Sequence, residues 1–352
     1  MSVTELLQNP TRTGFSFEIL PPLRGSSIER TFATIDMLRE FDPAYVNITS
    51  HRSELVYKDT PDGLFRRVSE RVRPGTVAVA AAIQNRYGLT AIPHLICSGF
   101  TATETEYALI DLQFLGINNP YGLTAIPHLI CSGFTATETE YALIDLQFLG
   151  INNLLVLRGD KAKHEKQFTP MQGGHAHAIE LARQINRFNE GYLLDGTQME
   201  APVTHPFEYG VAGYPEKHDE APNLDEDIRR LREKVDAGAG YVVTQMFFDN
   251  EKYFSFVKRC RENGITVPIV PGLKPINLLS QLTVLPKIFH VDLPTPLATE
   301  LARCKSNEEA TEVGVEWCTM QARQLIASGV PSIHFYSLMA ARSVARVARA
   351  VY

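Results

Sequence analysis

The chain has one tryptophan and five cysteines among its 352 residues. No two cysteines form a C-x-x-C pair, and none stands at a His/Cys metal-ligand spacing. Free thiols in a reducing compartment are therefore expected, with no metal site. No window of about 20 apolar residues exists, which leads us to expect no transmembrane helix. The opening Met-Ser-Val-Thr-Glu-Leu-Leu-Gln lacks the basic-then-apolar order of a secretory signal, so a cytoplasmic protein is expected. Lys and Arg total 34 against 40 Asp and Glu, a net charge of −6 with no basic cluster. That balance argues against nucleic acid or an anionic membrane as the main partner. There is no Ser/His/Asp elbow, no H-E-x-x-H and no Walker loop, which disfavours acyl transfer and metal-assisted hydrolysis. No G-x-G-x-x-G follows an early strand, which weakens a doubly wound dinucleotide-binding reading.

What is present is an ordinary globular composition, 44% hydrophobic and 21% charged, carrying one unusual feature. Residues 87–119 and 121–153 are the same 33 letters, offset by 34. Repeat proteins diverge between units, and nothing else recurs at this period, so a solenoid is not expected. The reading is a recent tandem duplication, an engineered insertion or an assembly error, laid over a parent of 318 residues. Short β-rich runs alternate with helical patterns along the whole chain. Strands are expected at Phe15–Leu20, Tyr45–Thr49, Ala91–Cys97 with its copy Ala125–Cys131, Leu154–Leu157, Tyr209–Gly213, Tyr241–Phe248, Val267–Val270 and Ile333–Tyr336. Helices are expected between them, among them Thr76–Tyr87, Thr103–Leu115 with a Thr103/Glu106 capping box, and Leu224–Ala237. Counting the duplicated strand once gives eight βα units, an α/β fold of the (β/α)8 TIM-barrel class. A ninth strand would change the tilt and shear of a closed barrel. Looping out 34 residues costs only about 2 kcal/mol of closure entropy. One duplicated βα unit within 87–153 is therefore expected to be extruded.

On a barrel the functional loops follow the strand C-termini, and long loops at 50–62, 159–173 and 214–223 all do. Glu18 sits in the apolar first strand, where burial would raise its pKa and fit it for general acid chemistry; the structural alternative is a carboxylate paired with an arginine. Arg158-Gly159-Asp160 ends a strand and suits an anionic ligand, or else an exposed turn salt bridge. Tyr214 and His218 can face one ligand or serve as ordinary loop residues. Gln245 in an apolar strand needs a partner for its amide. His94 and His128, within PHLIC, read first as core histidines.

Taken together, FEILPP, N-I-T, PHLIC, LVLRGD, GYPEKH, KVDAGA, TQMFFD, VPGLKPI and IHFYS resemble the methylenetetrahydrofolate reductases, and the match covers nearly the whole chain. The resemblance implies a single flavin-binding catalytic barrel over 1–352 and FAD as cofactor. It implies NADH or NADPH as reductant, and ping-pong reduction of 5,10-methylenetetrahydrofolate to 5-methyltetrahydrofolate, in one-carbon metabolism and methionine synthesis. A homo-oligomer is implied as well. By the same resemblance Glu18 is the general acid, and Asp160 the carboxylate between flavin and folate. Thr49, His94 or His128, Arg158, Gly159, Asp160, Tyr214, His218, Asp227 and Lys234 line FAD, and Gln245 and Gln281 contact folate. The sequence departs from the family's pattern at Arg230, Glu233 and Ala340. Two other readings compete: a barrel disabled by the duplication, and a flavin-free folate-binding methyltransferase barrel.

Overall fold

A computed structural model describes residues 3–8, 12–22, 28–49, 54–59, 65–70, 76–89, 91–93, 128–132, 134–148, 152–159, 168–200, 203, 205–337 and 340–352. In chain order the elements are α1 (Val3–Gln8), β1 (Gly14–Ile19), α2 (Glu29–Leu38), β2 (Tyr45–Ile48), β3 (Glu54–Asp59), β4 (Phe65–Glu70), α3 (Thr76–Tyr87), β5 (Ala91–Pro93), β6 (His128–Ile130), α4 (Ala136–Phe148), β7 (Asn153–Leu157), α5 (Ala178–Asn189), β8 (Glu208–Gly213), α6 (Leu224–Asp236), β9 (Ala239–Met246), α7 (Asn250–Glu262), β10 (Ile269–Leu273), α8 (Gln281–Phe289), α9 (Thr295–Arg303), α10 (Asn307–Ala327), β11 (Ser332–Phe335) and α11 (Ala341–Val351). This alternation, with parallel strand pairing, is the α/β (β/α)8 barrel class that the βα count predicts.

The chain divides into two compact units, Met1–Ile19 with Ala33–Asn47 and Glu208–Tyr352, and Leu20–Phe32 with Ile48–Phe207. In the first the strand order is β2-β1-β11-β10-β9-β8. Gly14–Phe17 lie level with Ser332–Phe335, and Leu273 lies level with Phe335, all parallel. Phe17, Phe335 and Val270 are wholly buried, each such side chain contributing about 1.5–3 kcal/mol. The helices start where the sequence supplies caps. Asn223 accepts from Glu226 N at 2.8 Å, Asp249 from Glu251 N at 3.0 Å, and Ser306 from Glu309 N at 3.2 Å. Asp225, Glu226 and Asp227 fill the first turn of α6 and Lys234 its last, matching the macrodipole.

In the second unit β6 pairs in parallel with β7, His128 opposite Leu155. β3 and β4 form an antiparallel hairpin, Glu54 opposite Glu70. The expected loop at 50–62 is thus partly strand; in the sequence, charged residues flank the short run Leu55-Val56-Tyr57 on both sides and mask it from a hydrophobic-run reading. The duplicated region contributes AIP from the first copy (β5) and HLI from the second (β6). The 34 positions between them, 94–127, lie outside the described residues, and with them the expected extrusion, the helix Thr103–Leu115 and its capping box. In the second copy the box falls two residues earlier than Thr137 and Glu140, the counterparts of that pair. Thr135 N donates to Glu138 Oε2 at 2.8 Å and Glu138 N to Thr135 Oγ1 at 3.2 Å.

Candidate active site

In each unit the described candidate residues stand at or just after strand C-termini, where a barrel places its chemistry. Glu18 is near the end of β1, Thr49 follows β2, and Arg158 and Gly159 follow β7. Tyr214 follows β8, and Gln245 is near the end of β9.

Glu18 is 7% exposed. The register that levels Phe17, Phe335 and Leu273 makes Glu18, Tyr336 and Lys274 the next residues on three adjacent strands. Lys274, 4% exposed, has its pKa pushed down to about 8 by burial, with Glu18 opposing the shift. The buried carboxyl thus has a buried lysine as a charged neighbour. Lys274 Nζ donates to Tyr336 O at 3.4 Å, and Ser337 Oγ donates to Glu18 O. Tyr336 donates its hydroxyl to Thr244 O at 2.9 Å; burial first, then the charge of Glu18, raises its pKa. Below this row His334 is buried, its pKa lowered to about 4 by burial, with Nδ1 3.0 Å from Ser16 Oγ.

The second cluster sits on the β8 loop and α6. Tyr214 meets the His218 ring edge-on at 4.8 Å. His218 N donates to Asp227 Oδ2 at 2.9 Å. Lys234 donates to Ala212 O at 3.2 Å, and burial lowers its pKa to about 8 while Asp227 opposes. Tyr214, His218, Asp227 and Lys234, distant in sequence logic, are thus brought together. Gln245 turns its carbonyl oxygen to Met246 N at 2.9 Å. Gln281 Oε1 accepts from Asn277 N at 2.8 Å and Leu278 N at 3.2 Å, holding its own loop.

In the other unit, Arg158 lies over the Phe168 ring at 4.7 Å. Gly159 adopts φ +82°, and a Cβ there would come within 2.7 Å of Ser132 Cβ. The sharp turn and close approach both require glycine. Thr49 Oγ1 is buried and has no hydrogen-bond partner among the described residues. His128 is placed only as backbone of β6, and His94 and Asp160 lie outside the described residues. Among the described residues no cluster of three His, Cys, Asp or Glu could hold a metal, and no helix is long and apolar enough to cross a membrane. Sequence reading passed over Lys274 and Tyr336 as site residues, though both stand in quoted motifs. The available signal was a lysine inside the apolar run IVPGLKPI.

The methylenetetrahydrofolate reductase family profile matches residues 4–120 and 116–351, two stretches that meet at the end of the first copy. The 5,10-methylenetetrahydrofolate reductase of Escherichia coli (strain K12) is 32% identical over 325 residues, covering 92% of this chain and 85% of that protein. Methylenetetrahydrofolate reductase (NADH) 1 of Arabidopsis thaliana is 27% identical over 351 residues, 96% of this chain but 48% of that protein. The chain thus spans about half the length of the plant relatives it matches. A solved structure of an uncharacterized protein from Clostridium thermocellum, described as binding two copies of 5-methyl-5,6,7,8-tetrahydrofolic acid, superposes with a TM-score of 0.51 at 15% identity. It covers 99% of this chain and 98% of that one. At that identity the likeness speaks for the fold alone.

Proposed function

The chain belongs to the methylenetetrahydrofolate reductase family, and from that premise we propose that it reduces 5,10-methylenetetrahydrofolate to 5-methyltetrahydrofolate with FAD and NADH or NADPH, in ping-pong order. The observation that carries this reading is Glu18, a buried carboxyl at the mouth of β1 set beside a buried lysine. FAD, when bound, supplies a two-electron carrier able to accept hydride from one ligand and deliver it to another.

The residues present fit such a group. Thr49 Oγ1 is a buried polar atom with no partner among the described residues, and Gly159 is a turn that leaves no room for a side chain. Tyr214, His218, Asp227 and Lys234 form one polar, aromatic surface. In our reading these residues, with Arg158, His94 or His128, and Asp160, hold the cofactor. Glu18 holds a proton for the folate nitrogen whose protonation opens the bridging ring and exposes the carbon that accepts hydride. Lys274 stands where its charge sets how readily Glu18 keeps that proton. Gln245 orients the folate, and Gln281 shapes the loop at residues 277–281 beside it. The same reading includes a cytoplasmic homo-oligomer.

The test is the visible absorption spectrum of the purified 352-residue protein beside a variant lacking residues 120–153, followed by NADH and NADPH oxidation with methylenetetrahydrofolate. A flavin band in both, with folate-dependent turnover, is the expected result. Colour confined to the shortened variant would mean that the duplication disables the barrel. A flavin band in neither would overturn the proposal and favour the methyltransferase-like reading.

A further inference from the structure

The loop after β8 contains a residue in a conformation that side chains avoid: Lys217 has φ +101°. Strain of this kind costs about 1–3 kcal/mol and persists only where the surroundings over-determine it. Lys217 Nζ donates to the carbonyls of His218 at 3.1 Å, Asp219 at 3.5 Å and Ala221 at 2.9 Å, which ties the loop to itself. Two contacts tie it outward. On one side His218 N reaches Asp227 of α6. On the other, Glu216 Oε2 accepts from Asp292 N at 2.6 Å, in the connection that leaves α8 through the left-handed His290. The second oxygen of that carboxyl, Glu216 Oε1, is buried and has no hydrogen-bond partner among the described residues. A buried unsatisfied acceptor costs about 1–3 kcal/mol, so this group is kept there for some reason other than its own solvation.

We propose that Glu216 is a positioning residue: its carboxyl clasps the 214–221 loop to the connection following α8, and so couples the Tyr214–His218 pair to the helix that begins with Gln281. The proposal rests on the function proposed above for its consequence, since Tyr214 and His218 are read there as cofactor-binding and Gln281 as shaping a loop beside the folate. The clasp itself rests on the geometry alone.

The surroundings of the clasp are mostly acidic. Asp292 and Asp249 face it, with Lys252 at 3.6 Å from Asp292; nearby, Asp219 lies 3.0 Å from His218 and 3.8 Å from His290. Burial raises the Glu216 pKa to about 7; the bond from Asp292 N and the charge of Lys252 oppose this, while Asp292 and Asp249 add to it. The clasped state therefore binds a proton that the released loop, with an ordinary carboxyl, gives up. Docking weakens as pH rises from the ordinary carboxylate range to about 7 and is level above that.

The test uses the full chain as wild type, Glu216→Ala and Glu216→Gln. Two readouts are taken at pH 5.5 and 8: amide hydrogen exchange over residues 215–221 and 290–293, and FAD affinity by titration. Glu216→Ala removes the acceptor. Its exchange in both segments should quicken about tenfold and FAD should bind about tenfold more weakly. Glu216→Gln keeps an acceptor for Asp292 N without a charge. It should hold both segments as protected at pH 8 as at pH 5.5, whereas the wild type loosens. If Glu216→Ala exchanges like the wild type, there is no clasp. If Glu216→Gln loosens with pH as the wild type does, the carboxyl proton has no part in it. If the wild type binds no flavin, exchange still decides the clasp, and only the proposed function falls.

Discussion

Two carboxyl groups in the same unit show opposite ways of keeping an acid out of water. Glu18, at the mouth of β1, has a buried lysine on the same level and a hydroxyl on its backbone carbonyl. Glu216, in the loop after β8, has one backbone donor, acidic neighbours and an oxygen with no partner among the described residues. An opposite charge favours the ionised form and burial among like charges favours the neutral one. The difference teaches that burial alone does not assign an acid its role. The first arrangement tunes a proton that must move, and the second holds a proton that makes a loop stay.

The largest break in this comparison is Glu18→Gln. It removes the movable proton and keeps the shape, so folate-dependent turnover should fall roughly 10²- to 10⁴-fold. The flavin spectrum and reduction by NAD(P)H should be retained, as stopped-flow absorbance would record. A full-rate variant would take Glu18 out of the chemistry. Next is Lys274→Met, which keeps the volume and deletes the charge. Without the cation the Glu18 carboxyl holds its proton to higher pH, so the alkaline limb of the rate profile should move up by about one unit. An unmoved limb would show that the two groups do not interact. The same lysine makes the wild type gain stability between pH about 8 and the ordinary lysine value near 10.5, because the unfolded chain binds the extra proton there. That slope should vanish in the variant when melting is followed against pH. The smallest effect belongs to Lys252→Met. Its bridge to Asp292 joins two well-exposed side chains, so denaturant titration should show a change within about 1 kcal/mol. A larger loss would mean that Lys252, more than the backbone donor, holds Glu216 in place.

Much of the barrel was legible because its strands are short apolar runs and its helices carry their own caps. Thr76–Tyr87 appears with the predicted bounds, and Asn223 with the acidic turn behind it starts α6 where the letters say. Glu18 stood out for the same reason, as a charge inside an apolar run. Lys274 had the same signature and was passed over, since a lysine near a strand end is usually solvated and only the register puts it level with Glu18. Glu216 gave no local sign at all. Between a proline and a lysine it reads as surface loop, and its backbone donor, Asp292 N, comes from 76 positions later. In the second copy the box is Thr135/Glu138; T-A-T-E-T-E offers two Thr/Glu pairs at the same spacing, and local sequence cannot rank them.

The split between β5 and β6 bears on heredity as much as on folding. Cutting out any 34 consecutive residues, starting anywhere from 87 to 120, leaves the same 318-residue chain. The cut that joins Pro93 to His128 is one of these and cannot be told from the others in its product. The insertion therefore has no seam. A lineage that lost it by slippage at any of those positions would return to one and the same barrel, with no scar to record which copy had gone.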